Sequence, residues 1–187
     1  REKTVYFNAK NLLGMILSAW GHINLTYHQS DISDKILSFK NGKSGVEGFF
    51  KNYPNHYMGK FINGAYFSAK SEFYEFADSE DNEKSNLNFK EALEITRAGM
   101  DNNVSDIFLP FMHSITLLAL GDGLMSYGNI SDGIEIMNQF FKFSKKGHFP
   151  IEATIQAYND FNWKANNMTG RYDECIDWFT ESQKLIK

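Results

Sequence analysis

The stretch that decides the fold is "LLALGDGLMSYGNISDGIEIMNQF", Leu117 to Phe140. Its first half carries Leu117, Leu120 and Leu124, apolar residues three and four apart, which is the spacing of one helix face. Gly128 then marks a turn. The second half carries Ile130, Ile134, Met137 and Phe140, again three and four apart, and predicts a second helix. Gly133 lies one turn into that helix, where a small residue lets a neighbouring helix approach closely. Asp132 and Glu135 lie near its start, where the helix dipole favours negative charge. Two helices and a tight turn therefore form a pair.

The second half of that pair recurs. "NISDGIEI" around Gly133 is echoed by "NFKEALEI" around Ala92 and by "RYDECIDW" around Cys175. The shared pattern is a large apolar residue, any residue, an acid, a small residue, an aliphatic and an acid. "GKSGVEGF" around Gly45 is a weaker copy. The small residues at 45, 92, 133 and 175 are 47, 41 and 42 residues apart. Between the three prolines, Pro54, Pro110 and Pro150, the chain reads as helix throughout, and each proline precedes a long apolar segment as a helix start. Helices are expected near 5–27, 31–39, 43–52, 56–77, 87–101, 107–127, 131–146, 151–168 and 172–186. The charged run "ADSEDNEKSN", Ala77 to Asn86, is expected to be a loop, and "NGKSG", Asn41 to Gly45, a turn or helix start.

These residues resemble the tetratricopeptide repeat (TPR) family. Leu117, Leu120, Gly121, Leu124, Gly128, Ile130, Gly133, Met137 and Phe140 stand where that consensus has its two helices and turn. A further copy matches through Gly170, Tyr172, Cys175 and Phe179, although Asn162, Trp163 and Asn166 depart from the first-helix pattern. An earlier copy has Gly64, Phe67, Phe89 and Ala92, and the first has Trp20-Gly21. The family repeats every 34 residues, so these spacings are longer by 7 to 13. The resemblance implies an all-α fold, an α-α superhelix: a TPR-like right-handed solenoid of about four antiparallel helix pairs. It makes 1–187 a single helical repeat domain with approximate repeats 5–53, 54–104, 105–149 and 150–187, open to being a segment of a longer chain.

Composition bounds the function. The chain has 187 residues, 42% of them apolar, enough for a sizeable core. A net charge of −4 with interspersed signs argues against direct nucleic-acid binding, which needs clustered Lys and Arg. One cysteine, Cys175, allows no intramolecular disulfide. It stands at a small-residue packing position rather than as a nucleophile. The early apolar stretch "NLLGMILSAWGHI" is too short to span a bilayer, so no membrane insertion is expected. Gly42-Lys43-Ser44 lacks the upstream glycine of a phosphate-binding loop, because Leu37 stands there. The five histidines show no metal-ligand spacing, and neither a metal nor a cofactor is expected.

The resemblance implies function through shape. Residues of the first helix of each pair would face a concave groove and contact a protein or peptide. Those positions are Leu118, Asp122 and Met125; Asp160, Lys164 and Asn167; and, in less regular copies, His22, Phe61 and Ser68. Trp178, on the terminal helix, has no following helix in this sequence to cover it and points to an array that continues in a longer chain, to a partner, or to a homo-oligomer through that helix. The expectation is a non-enzymatic, cytoplasmic scaffold, part of a larger regulator or assembly. The alternative is a helical sensor domain that binds a small molecule or signalling peptide and controls an attached effector. A closed apolar pocket would favour the sensor.

Overall fold

The computed structural model describes residues 32–71, 78–102, 105–106 and 108–169, with Thr180 and Lys184 helical. Among the described residues there is helix and no strand. The α-helices are α1 (Ile32–Asn52), α2 (Tyr57–Ser71), α3 (Asp81–Asp101), α4 (Leu109–Ser126), α5 (Ile130–Phe143) and α6 (Ile151–Thr169). A π-helical turn, Ser144–His148, follows α5. The expected helices at 5–27 and 172–186 lie outside the described residues, apart from Thr180 and Lys184. No helix among the described residues is long and apolar enough to cross a membrane. The chain forms two compact units, Arg1–Ile95 and Thr96–Lys187, and each is described by itself.

In the first unit, two expectations are corrected. "NGKSG" is neither a turn nor a helix start, because α1 runs through it without a break. Gly42 and Val46, one turn apart, are both buried. Burial of that face offsets the entropy that Gly42, Gly45 and Gly48 cost the helix. Lys43 and Glu47 pair across one turn at 3.8 Å on the exposed side.

The second correction concerns the charged run. It is not a loop to Asn86, since α3 starts at Asp81. The Asp81 carboxylate accepts the backbone N–H of Asp78 at 2.6 Å, which fixes the chain entering the helix. Asp81 is fully buried and meets Lys70 of α2 at 3.0 Å. The Ser85 hydroxyl donates to the Gly64 carbonyl at 2.8 Å, and Asn63 donates to Asn88 at 2.9 Å. Lys60 meets Glu91 at 2.5 Å. As the α2 partner climbs from 60 to 70, the α3 partner falls from 91 to 81, so the two helices are antiparallel. At the centre of the seam Phe89 lies against Gly64, where a Cβ would come within 2.8 Å of its ring. Phe61 and Phe89 rings meet at 5.6 Å.

The second unit holds the pair read from Leu117 to Phe140. Helix α4 ends in a Schellman motif: Asn129 N–H donates to Leu124 O at 2.9 Å and Gly128 N–H to Met125 O at 3.2 Å. This needs Gly128 at φ 87°, a conformation glycine adopts without strain. Helix α5 then folds back along α4. Gly121 faces Met137 and Gly133 faces Met125, again with one number rising as the other falls. Met137, Phe140, Leu117 and Leu120 are at most 1% exposed and form the core of the hairpin. Helix α6 closes the layer, with Tyr158 stacked on Phe141 at 3.5 Å.

Candidate functional site

The face on which the sequence placed most of its candidates joins α4 and α6. Asp122 lies four residues before Ser126, so both project from one side of α4. Lys164 of α6 donates to the Asp122 carboxylate and, at 3.0 Å, to the Ser126 hydroxyl. A second tie lies near the start of both helices, where the ring of Phe111 in α4 stacks at 5.6 Å on that of Phe149, two residues before α6. Numbers now rise together, 111 with 149 and 122 with 164, so α4 and α6 run parallel. Helix α5, between them in the chain, is antiparallel to α4. The 42-residue separation of Asp122 and Lys164 equals the spacing between the echoes at Gly133 and Cys175.

The ion pair is half-open to solvent, with side-chain exposures of 29% for Lys164 and 50% for Asp122. Such a pair contributes at most about 1 kcal/mol to stability. Its groups remain within reach of a ligand. Asp160 is exposed one turn before Lys164, and Leu118 is half-buried one turn before Asp122. Tyr127, at the end of α4, is exposed.

Not every candidate reaches this face. Met125 is 0% exposed, packed under Gly133, and belongs to the α4–α5 core rather than to a partner surface. Three residues beyond Asp122, it is turned by about 300°, towards the hairpin seam. Phe61 is likewise a core residue, 4% exposed against Phe89. Ser68 is half-buried on α2, and its carbonyl accepts the Ser71 hydroxyl at 2.7 Å. The side chain of Asn167, and residues His22 and Trp178, lie outside what the structure describes. Ser126 was missed from the sequence, although its place one turn after Asp122 is a readable signal.

The first unit has a separate cleft of about 340 Å³, lined by Asn55, Lys60, Glu91, Glu94 and Ile95. It is open and mostly polar, and the Lys60–Glu91 ion pair occupies part of its wall. No family model matches the chain, and neither does any curated protein or solved structure.

Proposed function

We propose that the chain is a non-enzymatic, TPR-like scaffold that holds a protein or peptide segment along the α4–α6 face, within a larger regulator or assembly. The observation that carries this reading is Lys164 spanning to Asp122 and Ser126. It ties two parallel helices side by side and leaves charged and hydroxyl groups at their shared surface. Parallel first helices at a near-constant separation are what a stack of helix pairs produces. A bound segment would compete for Lys164, Asp122 and Asp160 at little cost, since the pair is half-solvated. The sensor reading would require an enclosed apolar pocket, and the cleft of the first unit is open and lined by Lys60, Glu91 and Glu94.

The experiment compares proteins recovered from cells on the wild type, on Lys164→Glu and on Glu135→Lys of the exposed α5 surface. The scaffold reading expects a discrete partner set lost in Lys164→Glu and kept in Glu135→Lys, with circular dichroism unchanged in both. Equal recovery on all three would refute the assignment of this face.

A further inference from the structure

His113 takes no part in the α4–α6 face. It lies nine residues before Asp122, about half a turn round α4, and is 5% exposed. Its Nδ1 is 2.8 Å from Oγ1 of Thr96, which is fully buried in α3. The edge of the ring meets Phe143 of α5 at 5.0 Å. One turn after Thr96, Gly99 faces Leu109, where a Cβ would come within 2.9 Å of the leucine. Within the second unit, the end of α3 is therefore held on α4 at two points, one of them a buried imidazole.

The charges round that imidazole oppose a proton on it. Arg97 of α3 is a cation in range, and Asp101 of the same helix is the opposing carboxylate. From the α5 side, Lys146 places its ammonium 5.5 Å over the Phe143 ring that contacts His113. On α4 itself the acid is Asp122, on the other flank. Burial first and Arg97 second push the His113 pKa down to about 4, with Asp101 working against them. By contrast, the α4–α5 contact is built from Met125, Met137, Gly121 and Gly133, none of which titrates.

We propose that Thr96–His113 is an acid-released latch: protonating the buried imidazole frees the last turns of α3, Thr96 to Asp101, while the α4–α5 hairpin stays folded. The imidazolium gains water only if a neighbour moves away, and the α3 end meets α4 through Thr96 and Gly99 close to a helix terminus. Its partner Thr96 can then be solvated as well. Local opening of a helix end costs less than opening the hairpin core.

The test is amide hydrogen exchange on the whole chain from about pH 7 to about pH 4, corrected for intrinsic rates. The gap between the ordinary value, 6.5, and about 4 sets the size of the effect. Protection at residues 97–101 should fall as pH drops through that window, by roughly 100-fold between pH 7 and pH 4. Protection at residues 120–125 and 136–141 should stay level. His113→Gln should flatten the pH dependence at 97–101, and the His113 ring should titrate well below 6.5 by NMR in the wild type. Equal loss at both sets of amides, no pH dependence at 97–101, or a ring that titrates near 6.5 would overturn the latch.

Discussion

Gly133→Ala probes the α4–α5 hairpin most sharply. A Cβ at 133 would collide with Cγ of Met125 and lie 3.1 Å from both the Gly121 carbonyl oxygen and the Met125 nitrogen. Two of those neighbours are backbone, so no rotamer change relieves them. Met125 is 0% exposed and has nowhere to swing. The helices must separate by a few tenths of an ångström, and overpacking of this kind costs about 1–3 kcal/mol. Alanine returns up to about 1 kcal/mol through its better helix propensity. The net expectation is a loss of about 1 kcal/mol, or about 3 °C in Tm. Urea unfolding followed by circular dichroism measures it. The mechanism also predicts a coupling. Met125→Ala alone costs about 2–5 kcal/mol because it leaves a cavity. In that background Gly133→Ala should cost less than it does alone, by about 0.5 kcal/mol or more, because Cγ has gone. If Gly133→Ala stabilises the protein by about 1 kcal/mol, as at a solvent-facing helix glycine, the close approach is refuted. Strict additivity of the two substitutions would refute the steric mechanism.

Three further outcomes follow from the packing. Lys70→Met leaves the buried Asp81 carboxylate without its cation and should cost about 3–5 kcal/mol, much of it recovered in Lys70→Met/Asp81→Asn, as chemical denaturation would show. Phe89→Ala should cost about 3–5 kcal/mol, and Gly64→Ala should be better tolerated in that background than in the wild type, since the ring that fills the space above Gly64 has been removed. Lys164→Ala should change stability by less than about 1 kcal/mol, because its pair is half-solvated, which makes any loss of partner binding interpretable.

What the sequence revealed follows what its pattern could encode. The α4–α5 pair was readable because its packing uses apolar residues at helical spacing together with glycines, as at Gly121, Gly128 and Gly133. The α2–α3 seam was readable only at Gly64 and Phe89. Several of its other contacts are polar, and Asp81, Ser85 and Asn88 look like a solvated run until Lys70, the Gly64 carbonyl and Asn63 are brought against them. Those partners are 11, 21 and 25 residues away, beyond any local pattern. Gly42 and Gly45 look like a break but sit in a continuous helix, since tertiary burial of Gly42 and Val46 outweighs local propensity. At the site, the repeat register put Asp122 and Lys164 on one face, and the structure joins them. The same reasoning put Met125 and Phe61 on the groove face, but both are core residues, because an apolar side chain near a seam is drawn inward by burial.

Site-specific photo-crosslinking in cells would show whether a partner lies along the α4–α6 face. A photoreactive phenylalanine analogue would replace Asp122 or Asp160 on that face, and Asp132 or Glu135 on the exposed surface of α5. The scaffold account predicts the same discrete adduct from 122 and 160 and none from 132 or 135. Adducts from the α5 positions alone, or none from 122 and 160 while all four variants remain folded, would contradict it.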